Sequence, residues 1–304
     1  MTPESLFQQL HGQVELVNAP CIDTQVYQTS RGTSYLQSPG VVMLSYPKVN
    51  VGGLEGFLGG FDESLDFPDY LLDPALLPTG SYLCKIAGQL CYMSFGPKRT
   101  KNADAQRYFD NIKSSQHGSV LEHANYSFLL YGISRSVTHE LVRHRAGFAF
   151  SQVSQRYVSG KVLRFVERPE YQHNSVLHTA FERRVEKVAE EYEVLTNALL
   201  LMQKSGEQIL SADEKTDLRK KVQQAARSVL TNETEAPIVV TGNARAWRHF
   251  IEMRASSHAE IEIRELALRI FLCLYQVDNI LFGDYELEQL SDGTYTVKTE
   301  YRKV

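Results

Sequence analysis

Apolar residues recur at helical spacing over most of the second half of the chain and gather into short β-branched or aromatic runs between. Leu83, Ile86, Leu90 and Met93 predict a helix through SYLCKIAGQLCYMSF (81–95), and Tyr108, Phe109 and Ile112 predict another over Ala103–Ser115. A long helix is expected over Ser175–Met202, broken by SGEQ (205–208), with a further one over Ala212–Val229. Ile263, Leu266, Ile270, Leu274, Val277 and Leu281 stripe a last helix over Ala259–Phe282. Strands are expected at Val41–Tyr46, Ala124–Ile133, Lys161–Val166 and Ile238–Thr241, and Tyr285–Tyr301 reads as a β-hairpin turned at Ser291-Asp292-Gly293. The mixture predicts an α+β protein without internal repeats. Residues 1–76, rich in Gly, Pro and Asp, form an N-terminal extension to which no chemistry is assigned, followed by a domain over 77–304.

The pattern breaks at Thr138–Val158, THELVRHRAGFAFSQVSQRYV. A helix over Arg135–Val142, begun by Ser134 or Ser136, delivers Arg143, His144 and Arg145 at its end, after which no amphipathic period survives. With Ser151, Gln152, Ser154 and Arg156 these residues make a dense donor array, the chemistry that grips phosphate and other anionic oxygens. The alternative is a solvated basic turn. A polar turn with Ser119, Glu122 and His123 precedes the strand Ala124–Ile133, at a strand edge where ligand contacts are common. Arg227 marks a helix end in AARSVL.

A second constellation lies in Gly242–Arg264, where Asn243 caps a helix packed through Ala244, Trp247, Phe250 and Ile251. At about 100° per residue, Arg245 and His249 share one face, and Arg254 and His258 share another nearly opposite. That pattern is either surface charge or a helix lying between two sites.

Composition narrows the classes. The 304 residues carry 32 basic and 36 acidic side chains, so any anion site is local and a general nucleic-acid binder is not indicated. No apolar run reaches the roughly 20 residues of a membrane span, and the N-terminus lacks a secretory layout, so a cytoplasmic protein is expected. Cys21, Cys84, Cys91 and Cys273 show no metal-like or C-x-x-C spacing and read as reduced, mostly buried thiols. His139 and His144 are five apart, not the four of a zinc-protease helix; neither a P-loop nor a Rossmann fingerprint is present, so no metal is expected. A serine nucleophile at Ser151 or Ser154 lacks an elbow motif.

Taken together, Arg143-His144-Arg145…Ser151-Gln152-x-Ser154-Gln155-Arg156-Tyr157, Asn243-Ala244-Arg245…Arg254-x-x-x-His258, Ser119-x-x-Glu122-His123, Arg227 and the terminal hairpin resemble the flavin-dependent thymidylate synthase (ThyX) family in order along residues 80–300. One departure stands out: Ala146–Val153 places eight residues between Arg145 and Ser154 where the family pattern has seven, and the added residue is expected within AGFAF (146–150). The resemblance implies a single-domain subunit with a twisted antiparallel sheet flanked by long helices, assembled as a homotetramer with sites shared between subunits. It implies methylation of dUMP to dTMP, with methylenetetrahydrofolate as one-carbon donor and FADH2, regenerated by NADPH, as hydride donor. By the same resemblance Ser119, Glu122, Arg143, His144, Arg145, Asn243, Arg245, His249 and His258 would hold FAD. Gln152, Ser154, Arg156, Arg227, Arg254 and Glu140 would hold dUMP, with Arg254 and His144 as the catalytic candidates. Two other readings stay open: a related flavoenzyme acting on another pyrimidine nucleotide, and a non-catalytic nucleotide-binding regulator.

Overall fold

A computed structural model of the chain describes residues 1–11, 19–157, 160–205, 210, 215–302 and 304. Its centre is a five-stranded antiparallel sheet in the spatial order Cys21–Ile22, Gly40–Ser45, Asn125–Tyr131, Ile238–Asn243, Phe148–Gln152. Strict alternation makes two of the three inner strands one-sided: Tyr126, Phe128 and Leu130 face the core opposite Gly242, Val240 and Ile238. Helices Ala244–Arg254 and Ile261–Val277 cover that face, the first through Trp247, Phe250 and Ile251 and the second through Ile263, Leu266, Ile270 and Leu274. Each such side chain contributes about 1.5–3 kcal/mol on burial, which fixes the sheet and its two helices as one body.

Residues 1–76 are woven into this core. They supply two of the five strands, and Leu6 and Phe7 of helix Pro3–His11 are buried within it. A smaller sheet joins Val26–Gln28, Ser34–Leu36 and Phe165–Val166, the last two parallel, against Phe181 and Val185 of the long helix Ser175–Lys204. Between the sheets of the N-terminal segment and helix Thr79–Leu90, four short helical turns over 51–72 enclose an aromatic cluster of Phe67, Tyr70 and Phe95.

Several expected elements are shorter. The first helix stops at Leu90, because Met93 takes a left-handed φ of 48°. Of Lys161–Val166 only Phe165–Val166 is strand, and Gly160–Val162 is a 3-10 turn. The helix expected over Ala212–Val229 is seen as Lys215–Ala226 followed by a 3-10 turn, Arg227–Val229; its first residues and the SGEQ break at 206–208 lie outside the described residues. The hairpin Glu286–Gln289/Tyr295–Lys298 forms as expected, with Gly293 at φ 82°. Cys84 and Cys273 are buried, Cys21 is half-buried and Cys91 is exposed. No helix among the described residues is long and apolar enough to cross a membrane.

Candidate functional site

Helix Arg135–Leu141 begins at Ser134, whose Oγ accepts from the Val137 N–H at 3.3 Å, and its last turn is closed by bonds from Arg143 N to Glu140 O and His144 N to Leu141 O. The chain then reverses through Gly147 at φ 75° into the edge strand Phe148–Gln152. Only glycine suits that point: a Cβ there would lie 2.8 Å from Asn243 Nδ2 and 2.9 Å from Ala246 Cβ. Asn243 meets this turn twice over, donating its backbone N–H to Gly147 O at 3.2 Å while its side chain caps the next helix at Ala246 N. The Arg143–Arg145 turn is thereby pinned to the start of helix Ala244–Arg254.

The edge strand pairs residue for residue with its neighbour, from Phe148 opposite Gly242 to Gln152 opposite Ile238. No bulge interrupts the pairing, so the added residue expected within Ala146–Phe150 is not looped out of the strand between Phe148 and Gln152.

Arg143, His144, Arg145, Ala146, Phe148, His249 and Arg254 line an open cavity of about 370 Å³. Arg254 is the fixed cation in it, donating Nε–H to His144 Nε2 at 2.9 Å and Nη1–H to Glu140 Oε2 at 2.6 Å. His144 packs edge-on against Phe250 and His249, with centroids 5.2 and 5.9 Å away. Burial, then the charge of Arg254, His249 and Arg143, pushes its pKa down to about 4. The ring is consequently neutral at pH 7, and because Nε2 accepts from Arg254, its proton belongs on Nδ1. Arg143 and Arg145 are exposed, and neither guanidinium has a hydrogen-bond or ion-pair partner among the described residues. One oriented guanidinium, two unpaired ones and a neutral imidazole can hold anionic groups and polarise a ring carbonyl.

A second cluster follows the edge strand. Gln152 Nε2 donates to Thr138 Oγ1 at 3.1 Å, and Ser154 Oγ accepts the Arg156 N–H at 3.4 Å. Arg156 reaches Gln224 Oε1 at 3.2 Å and lies 5.5 Å from the centroid of Tyr157. Lys220 sits over the same ring, also at 5.5 Å. Sequence reading missed Lys220, taking it as solvated helix face. The signal was there: Lys220, Gln224 and Arg227 recur at i, i+4 and i+7.

The third cluster pairs Arg245 Nη1 with Glu122 Oε1 at 2.7 Å, next to Ser119 on the 3-10 turn Gly118–His123. Neither Ser119, Glu122 nor Arg245 lines the Arg143–Arg145 cavity of the same chain. The two-faced helix also needs correcting. The helix ends at Arg254, with Ala255 as its C-cap, and His258 stands in the turn before Ile261. Arg254 does not face away from His249; its long side chain returns to His144, so both line one cavity. His258 lines a different cavity, about 570 Å³, which shares Arg254 and is closed by Thr296 and Lys298 of the hairpin. Arg248 is structural: 2% exposed, it forms a two-pronged ion pair with Asp284 at 2.7 and 2.8 Å. A further cavity of about 590 Å³, between Arg31–Ser34 and the long helix, holds none of these residues.

Comparison with known proteins covers the segments that carry these clusters. The family model described as "Thymidylate synthase complementing protein" matches residues 75–278. The flavin-dependent thymidylate synthase of Mycobacterium leprae (strain Br4923) is 43% identical over 215 residues, covering 71% of this chain and 84% of that protein. That of Mycobacterium tuberculosis (strain ATCC 25177 / H37Ra) is 43% identical over 217 residues, covering 71% and 83%. Among solved structures, a UMP/dUMP methylase PolB from Streptomyces cacaoi, bound with 5-Br dUMP, shares the fold with a TM-score of 0.53 at 19% identity, over 81% of this chain and 94% of that one.

Proposed function

The chain belongs to the flavin-dependent thymidylate synthase family, and from that premise we propose that it converts dUMP to dTMP, taking the one-carbon unit from methylenetetrahydrofolate and a hydride from FADH2 that NADPH regenerates. The observation that carries this reading is Arg254, held between Glu140 and His144 at the mouth of the Arg143–Arg145 cavity.

The residues fit a flavin nucleotide. Its phosphates need cations without prior partners, which Arg143 and Arg145 supply, and its ring needs a flat, partly apolar wall, which Phe148 and His249 supply. Bound there, the flavin would supply the hydride chemistry that no side chain can. The protein's own work is placement and charge. Glu140 and neutral His144 fix Arg254 so that its remaining N–H donors can face a uracil carbonyl, where a preorganised cation stabilises developing negative charge without proton transfer. Gln152 and Ser154 would orient the nucleotide, and Arg156, Lys220 and Arg227 would take its phosphate.

A cavity of about 370 Å³ accommodates only part of a dinucleotide. We read the site as completed across a homotetramer, in which Ser119, Glu122, Asn243, Arg245 and His258 of neighbouring subunits hold the rest of FAD. The unpaired edge of strand Phe148–Gln152 supports an assembly at this face. Residues 77–304 carry every group named, and residues 1–76 serve as scaffold for them. With soluble nucleotide and folate substrates, the enzyme would act in the cytoplasm.

The eight-residue spacing between Arg145 and Ser154 favours one further reading, a related flavoenzyme acting on another pyrimidine nucleotide. The test offers the flavin-loaded protein dUMP or UMP with methylenetetrahydrofolate and NADPH. Formation of dTMP from dUMP supports the reading, turnover of UMP alone transfers it to the enzyme of another pyrimidine nucleotide, and a protein that binds no flavin refutes both.

A further inference from the structure

Helix Arg135–Leu141 carries Glu140 and hands the chain to Arg143-His144-Arg145, yet at seven residues it is too short to hold its own direction. Its first turn is fixed from outside. The cap residue Ser134 donates its backbone N–H to Glu262 Oε1 at 2.8 Å and its Oγ–H to Glu262 Oε2 at 2.9 Å. Glu262 is 2% exposed, in the first turn of the core helix Ile261–Val277. A serine cap satisfies a helix start without help, and a buried carboxylate carries a desolvation cost that an apolar residue would avoid. Two bonds from one rigid group to one residue do what a cap does not: together with the backbone bonds from Arg135 N–H to Thr234 O at 2.9 Å and Ser136 N–H to Asn232 O at 3.4 Å, they fix both the axial position and the rotation of the helix.

We propose that Glu262 is a positioning residue, acting through Ser134 to set Glu140 and His144 against Arg254. This rests on the dUMP-methylating role proposed above. Burial raises the Glu262 carboxyl to about 7, against the lowering effect of its bonds from Ser134; Glu260 on its own helix raises it further and Arg168 lowers it. As pH falls below that value the carboxyl gains a proton, and one of its two oxygens stops accepting. The neighbouring His144, at about 4, does not titrate in this window.

The test uses the flavin-loaded full chain, comparing wild type, Glu262→Gln, Ser134→Ala and the double variant for kcat and dUMP KM between pH 6 and 8.5. Misplacement on the order of an ångström costs up to about a hundredfold, so Glu262→Gln is expected to lose roughly tenfold in kcat at pH 8. It should also lose the wild-type inflection near 7, because an amide does not titrate. Ser134→Ala should match it, and the double variant should be no worse than either single one. Wild-type kcat with the inflection retained in Glu262→Gln overturns the proposal. If that variant does not fold, Ser134→Ala gives the same reading, overturned by wild-type kcat. If the wild type itself makes no dTMP, the assigned reaction fails instead. The positioning claim is then read from the FAD dissociation constant, expected severalfold weaker in Glu262→Gln and overturned by equality.

Discussion

Glu140→Gln separates orientation from stability. The bond from Arg254 Nη1 to Glu140 Oε2 is 2.6 Å, in the range of charge-assisted bonds, and the two side chains are 21% and 35% exposed. A pair this open contributes little to folding, at most about 1 kcal/mol after solvent screening. Its contribution to holding Arg254 is larger, because the alternative for an unanchored guanidinium is a spread of rotamers. A hydrogen bond to a charged group is worth about 1.5–3 kcal/mol, which at 1.36 kcal/mol per decade corresponds to about 10–150-fold in kcat/KM for dUMP. Steady-state kinetics on the flavin-loaded protein, with a thermal melt on the same sample, reads both quantities. The expected result is a melting temperature within a few degrees of wild type and a rate lower by at least about tenfold. A rate within threefold of wild type would refute the view that Glu140 orients Arg254.

Asp284→Asn should destabilise the fold by about 3 kcal/mol, since Arg248 and Lys113, both buried, lose their shared carboxylate; a urea unfolding curve shifted by less than about 1 kcal/mol would contradict this. Burial alone would raise Asp284, but hydrogen bonds and charge from Arg248, then Lys113, hold it down to about 2, so its contribution is complete above pH 3.8 and is lost as pH falls through 2. His144 should show no imidazole titration by NMR between pH 5.5 and 8; with a folded pKa near 4 against 6.5 unfolded, its contribution to stability is full above 6.5 and is lost as pH falls toward 4. Lys220→Ala should weaken dUMP binding about tenfold while leaving kcat at saturation within threefold, and Ser154→Ala should follow the same pattern; calorimetry and kinetics check both, and unchanged affinity removes either residue from the nucleotide site.

The sequence made the local rules legible. Alternation in Asn125–Tyr131 and Ile238–Asn243, the Asn243 cap and the Gly293 turn all follow from short-range chemistry, and they formed where expected. Long-range pairing was not legible: nothing in Cys21–Ile22 or Gly40–Ser45 announces that a Gly/Pro-rich segment joins the central sheet. At the site, sequence gathered the residue types that the clusters contain but not their distances. A helical wheel put Arg254 and His249 apart because it ignores reach; the Arg254 side chain, at the last helical residue, bends back to His144. Lys220 was hidden among the charges of a polar helix until Tyr157 was seen beneath it.

The central claim is that this chain methylates C5 of dUMP at the site built around Arg254. The most direct test follows release of tritium from [5-³H]dUMP by the flavin-loaded protein, supplied with methylenetetrahydrofolate and NADPH, alongside its Arg254→Ala variant. The proposed reaction predicts release matched by dTMP formation in the wild type and at least about a hundredfold less in the variant. Equal release from both proteins, or none from a wild type that holds its flavin, would contradict it.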